Sequence, residues 1–237
     1  MRNWLIGNMG VPGEYQYQSI HLISTAVVFA MLAVVLWLGR SKGIGNREKQ
    51  RLLRIICWFH LGFELLWRVI YITVKGDTIL CWWPLYPCNL GGILVPIIAL
   101  AQWKRGKDLF YLFGFIGGVL TFALPEGIFV RDILVFPILK SILQHTGLLL
   151  IPGLEYVMGS WRPSLKKLGW VIVGCLVHLI NSAGIVRLLG FTGDYMFLRS
   201  GLPFVIPGVP QFITLPVFAI LVLALLSWFC DLVEKAR

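Results

Sequence analysis

A chain of 237 residues that is 58% hydrophobic and only 14% charged, with mean hydropathy +0.81, lies far outside the composition of a soluble domain. The net charge of +10 does not indicate a nucleic-acid partner, because the basic residues sit in short loops between apolar segments. In that position they set membrane topology.

Uncharged runs long enough to cross a bilayer, about 18 residues or more, occur at 15–39, 78–103, 168–186 and 200–230. Shorter or interrupted runs fill the gaps. The most economical division is an all-α, single-domain bundle of seven transmembrane helices at 19–39, 53–74, 85–103, 108–125, 136–158, 167–189 and 209–231. The start of the chain lacks a basic region followed by a short apolar core and a small-residue cleavage site, so the first apolar run is expected to be a retained span. The long linker at 187–209 is rich in Gly and Pro and oddly apolar, as a re-entrant segment or lid would be.

Sidedness follows from the loops. Arg40, Lys42, Arg47, Lys49, Arg51, Arg54, Lys104, Arg105, Lys107, Arg162, Lys166, Lys167, Lys235 and Arg237 fall on one side, against Arg2, Lys75, Arg131, Arg187 and Arg199 on the other. The excess of Lys and Arg on cytoplasmic loops places the N-terminus outside and the C-terminus in the cytoplasm. Trp82, Trp83, Trp103, Trp161 and Trp228 fall near span ends, where interfacial aromatics belong.

The stretch Trp82-Trp83-Pro84-Leu85-Tyr86-Pro87-Cys88-Asn89-Leu90-Gly91-Gly92 opens the third span. Proline is tolerated at a helix entry, where a missing amide hydrogen costs little, so Cys88 is expected in a first helical turn. The partial positive charge there favours thiolate, the reactive form. A small buried hydrophobe in a tight helix contact is the competing reading. The five cysteines, Cys57, Cys81, Cys88, Cys175 and Cys230, have neither metal-type pairing nor the pattern of a disulfide framework.

Ionisable groups at membrane depth are costly and mark functional candidates. The second span carries His60, Glu64 and Arg68 four apart, hence on one face. They are either part of a site or a ladder in which Glu64 simply pairs with Arg68. The sixth carries Cys175, His178, Asn181 and Ser182, which also suit ordinary interhelical hydrogen bonding. The fifth offers Gln144-His145-Thr146-Gly147, with Lys140 expected to snorkel toward the headgroups. His145 then lies roughly 12 Å along its helix at 1.5 Å per residue. It meets Cys88 only if the Pro84–Pro87 segment dips into the bundle or the helices tilt.

These parts suit nucleophilic acyl transfer: Cys88 as nucleophile, His145 as base, Asn89, Asn181 or Glu64 as a third group, and freed backbone amides for the oxyanion. Such chemistry needs no metal and no cofactor.

Pro84-Leu85-Tyr86-Pro87-Cys88, Gln144-His145-Thr146-Gly147 and Asp194-Tyr195-Met196-Phe197-Leu198, in this order and spacing, resemble the YwaF-like integral membrane family, whose animal relatives include transmembrane protein 164. The resemblance covers about residues 50–230. It implies a seven-span fold, membrane phospholipids as partners, and acyl transfer through a cysteine, here Cys88, with His145 as companion. His60, Glu64, Arg68, Asn89, Asn181, Asp194 and Tyr195 are the supporting or substrate-binding candidates. The expected location is a bacterial-type plasma membrane with the site facing the outer leaflet. Tyr86 and Pro87 depart from the more usual Pro-Leu-His-Leu-Cys, and Asp194 stands where Asn is usual.

Two other classes fit the composition. A zinc-dependent seven-span lipid hydrolase would draw on His60, Glu64, His145 and His178. A non-enzymatic transporter or lipid-binding bundle would line a pathway with His60, Glu64 and Arg68.

Overall fold

The computed structural model describes residues 4–5, 14–75, 83–125, 128–195 and 209–235. Arg2, Cys81, Trp82, Arg199, Arg237 and the Met196-Phe197-Leu198 part of the third motif lie outside them, as does most of the expected re-entrant linker. Among the described residues the chain is all-helical, with no strand. Seven long helical segments follow one another: α1 Ser19–Arg40, α2 Asn46–Lys75, α3 Pro87–Leu100, α4 Lys104–Ala123, α5 Phe136–Val157, α6 Leu165–Leu188 and α7 Gln211–Lys235. Five of these, α1, α2, α4, α6 and α7, contain stretches long and apolar enough to cross a membrane.

The two exceptions place the site. α5 is packed against α1, α2, α3 and α4, and sixteen of its twenty-two residues are buried. The most enclosed helix is thus among the less apolar ones. Lys140, Gln144, His145 and Glu155 are buried in it, surrounded by the neighbouring helices.

α3 is shorter than the expected 85–103 span. Pro87 occupies its first turn and Tyr86, in extended backbone (φ −88°, ψ 155°), caps it. At its other end Gln102 adopts a left-handed conformation (φ 51°) and its Nε2 donates to Ala99 O at 2.7 Å, which closes a tight turn into α4. Fourteen residues span only about 21 Å at 1.5 Å each, less than a bilayer core.

α6 begins as a 3-10 turn at Leu165–Lys167 and widens into a π-helical stretch at Ile180–Ile185. It crosses α4 closely at Gly174, where any Cβ would collide with the backbone of Leu109.

At the opposite end of α5 from the α3 N-terminus, Glu155 is paired with Lys107 and accepts from Tyr111 Oη (3.3 Å) and Ser160 Oγ (2.9 Å). Asp108 beside it receives Lys167 Nζ at 3.0 Å and Trp161 Nε1 at 3.2 Å. Trp161 is consequently buried against Tyr111, not an interfacial residue as its position near a span end suggests, whereas Trp103 and Trp228 are exposed.

Candidate functional site

Cys88 lies in the first turn of α3, partly buried. Its carbonyl oxygen accepts from Nε2 of Gln144 at 3.0 Å, so the start of α3 is level with the third turn of α5. Within the Pro84–Pro87 segment Leu85 is buried while Tyr86 stays exposed, and it is the backbone of Cys88 that contacts Gln144. Gly92 makes the approach possible: a Cβ there would stand 2.8 Å from Gln144 Nε2.

Around this contact runs a continuous polar network. Cys88 Sγ points at Oδ1 of Asn89 (3.9 Å), a weak thiol contact. The same Oδ1 accepts from Lys140 Nζ at 3.2 Å, and Lys140 also donates to Gln144 Oε1 at 2.7 Å. From α2, Glu64 Oε2 receives Arg68 Nη1 at 2.7 Å, while its Oε1 lies 3.6 Å from Lys140 Nζ.

Lys140 is a correction to the sequence reading. It does not snorkel to headgroups; it is 8% exposed and turned inward onto Asn89, Gln144 and Glu64. Two signals in the sequence mark it. Lys140 and Gln144 are spaced four apart on one helix face, and Lys140 and Arg68 are the basic residues that no loop or terminus accounts for. The Glu64–Arg68 pair does form, as the ladder reading expects, but it is one part of the larger cluster.

His145 is buried on the next strip of α5. Its Nδ1 lies 2.7 Å from Ser141 O. A carbonyl can only accept, so Nδ1 carries the proton and Nε2 of the neutral ring is left basic. Nε2 makes no hydrogen bond among the described residues, and no hydrogen bond joins His145 to Cys88. Its ring is edge-on to Phe122 at 6.5 Å. His60 is also buried, its ring seated on Gly147, where any side chain would overlap it. Among the described residues His60 Nε2 and Glu64 Oε1 have no hydrogen-bond partner.

Asn181 lies in the π-helical stretch of α6 and grips the strap ahead of Cys88. Its Nδ2 donates to Pro84 O at 2.6 Å and its Oδ1 accepts from Trp83 Nε1 at 3.0 Å. A π-helical turn is rare and concentrates at functional positions; here it aims a side chain at the entry of α3. Tyr195 packs edge-on to Tyr86 at 5.1 Å, and Asp194 lies within electrostatic reach of the Tyr86 phenol. The departure residue Tyr86 thus caps α3 and anchors the chain that follows α6.

The zinc alternative has no such convergence. Among the described residues no three His, Cys, Asp or Glu side chains gather as a metal site requires, and His178 is wedged between Phe110 and Phe113 (centroids 5.5 and 4.8 Å).

An all-helical integral membrane protein with a buried charge cluster drawn around a helix-terminal cysteine is the class these features define. A model of the TMEM164 family matches residues 15–228, and the chain belongs to that family. No curated protein and no solved structure matches it.

Proposed function

We propose that this protein transfers phospholipid acyl chains through a thioester on Cys88. The observation that carries this reading is the grip of Gln144 on the Cys88 carbonyl, which fixes a partly accessible thiol at a helix N-terminus beside Asn89 and Lys140. A helix N-terminus with a neighbouring cation is the setting in which a thiolate is stabilised.

In the forward half-reaction the thiol proton passes to Nε2 of His145, and sulfur attacks the ester carbonyl carbon. The C–S bond forms, the ester C–O bond breaks, and the departing lysolipid oxygen takes the proton from His145. In the return half, His145 Nε2 takes the proton of an acceptor hydroxyl, whose oxygen displaces the sulfur. A lysolipid as acceptor gives transfer, and water gives hydrolysis. Backbone amides at the start of α3 serve the oxyanion. The membrane arrangement that goes with this reading is seven spans with the N-terminus outside and the site toward the outer leaflet of the plasma membrane, supported by the loop charges.

Intact-protein mass spectrometry tests it. Wild type incubated briefly with mixed phospholipids should gain an acyl-sized increment that hydroxylamine removes and Cys88→Ala lacks. No adduct together with unchanged lipids would sink acyl transfer. It would favour the transporter reading, to which Nε2 of His60 and Oε1 of Glu64, buried on one face of α2 without a hydrogen bond among the described residues, lend support.

A further inference from the structure

The buried cluster beside Cys88 is unbalanced in charge. Buried ions are retained when paired, yet among the described residues this cluster holds two cations and one carboxylate. Arg68 takes Glu64 twice, through Oε2 at 2.7 Å and through the backbone carbonyl at 2.8 Å. Lys140 remains 3.6 Å from Oε1, beyond hydrogen-bond range. Both of its hydrogen bonds go to neutral amide oxygens, those of Gln144 and Asn89. Its nearest anion is Glu64, in a looser ion pair at 3.6 Å with a carboxylate that Arg68 already holds. Cys88 Sγ and Lys140 Nζ meet at a single acceptor, Asn89 Oδ1.

We infer that Lys140 is the positioning residue that holds Cys88 as a thiolate, the sulfur supplying the second anion of the cluster. The inference rests on Cys88 being the nucleophile. Ionisation breaks the S–H bond and passes the proton by way of Nε2 of His145 to water, so that two anions face two cations; on attack the leaving oxygen takes a proton returned from water through the same Nε2. The sulfur anion stays opposite the Lys140 ammonium. The other titratable or charged groups facing the pair are Glu64, Arg68 and His60 from α2, His145 from α5, and Tyr86 at the cap of α3, with Asp194 behind Tyr86.

The test is the pH profile of Cys88 alkylation by iodoacetamide, read on the Cys88-containing peptide from the full-length protein in nanodiscs. Lys140→Met should raise the midpoint by a pH unit or more and slow alkylation at pH 7 about tenfold. Lys140→Arg, which keeps the charge, should stay within about threefold of wild type. Glu64→Gln keeps an oxygen for Arg68 but removes the carboxylate, so it should move the midpoint down. A wild-type profile for Lys140→Met overturns the inference, and so does equal slowing in Lys140→Met and Lys140→Arg. If the Lys140 variants do not fold, Glu64→Gln decides: an unchanged or raised midpoint overturns it. A wild-type profile that shifts only on stripping co-purified lipid would assign the second anion to a lipid phosphate and overturn it too. Alkylation needs no acyl donor, so a normal set of midpoint shifts without any acyl adduct fails the acyl-transfer reading alone, and an adduct without the shifts fails this one alone.

Discussion

Lys140 on α5 and Cys88 on α3 converge on one atom, Oδ1 of Asn89, at 3.2 and 3.9 Å. The shared acceptor links a helix start to the charge cluster of α2, since Lys140 also lies 3.6 Å from Glu64. Local backbone physics supplies a first-turn cysteine at Pro87-Cys88, and tertiary packing supplies the cation.

Gly92 is the position where that packing has least room. A Cβ would meet Gln144 Nε2 at 2.8 Å and Cγ at 3.2 Å. Gly92→Ala should push Gln144 off the Cys88 carbonyl, at a stability cost of about 1–3 kcal/mol for the overpacking. Acyl-adduct formation should fall by about tenfold or more, the value of roughly 1.4 kcal/mol and upward in barrier. Mass spectrometry of the adduct beside a thermal melt separates the two effects; unchanged adduct formation would remove Gln144 from the site.

The Glu64–Arg68 pair should show strong coupling. Glu64→Leu leaves a buried guanidinium without its carboxylate, which costs about 3–5 kcal/mol, and Arg68→Leu does the converse. The double variant removes both charges and should recover folded yield well beyond the sum of the single losses. Activity should not recover with it, because Glu64 also faces Lys140. Size-exclusion yield and turnover on all three variants give the cycle; additive losses of yield would mean the pair is not interdependent.

Most of the helical segments were legible because apolar runs and loop charges mark them directly: α1 at Ser19–Arg40 against 19–39 and α5 at Phe136–Val157 against 136–158 differ by a residue. The short α3 was not, since an uncharged run ending at Trp103 conceals the left-handed turn at Gln102 that stops the helix at Leu100. Of the polar cluster around Cys88, the residues Cys88, Asn89 and Asn181 stand out by residue type and His60, Glu64 and Arg68 by their i,i+4 spacing. Lys140 could not be placed by depth alone, because a lysine one turn into a span can point either way along its helix. What decides its direction is the neighbouring helix: Asn89 and Glu64 lie where its ammonium can reach them.

Asn181 offers a test of the strap. Asn181→Leu removes the bonds to both Pro84 O and Trp83 Nε1, whereas Asn181→Asp keeps only an acceptor for Trp83. Each lost bond is worth about 0.5–1.5 kcal/mol, so the fold should persist while the entry to α3 loosens. Limited proteolysis should gain a cleavage near residues 83–86 in both variants, with adduct formation reduced more by Leu than by Asp. Protection identical to wild type would mean that Asn181 does not hold the strap.

The second buried ion cluster gives the opposite expectation. Glu155 is fully buried and is satisfied by Lys107, Tyr111 and Ser160, at the far end of α5 from Cys88. Lys107→Met leaves that carboxylate without its cation, and breaking a buried pair costs about 3–5 kcal/mol. A change of that size is a large part of the stability of an ordinary domain, so folded yield and melting temperature should drop sharply. The protein that does fold should retain near-normal specific activity and a normal Cys88 alkylation profile, because none of the hydrogen bonds of Lys107 reaches the site. Specific activity normalised to folded protein checks this. A loss of activity out of proportion to yield would show that the two clusters are coupled through α5, and that this helix transmits charge or strain along its length instead of serving as a fixed post.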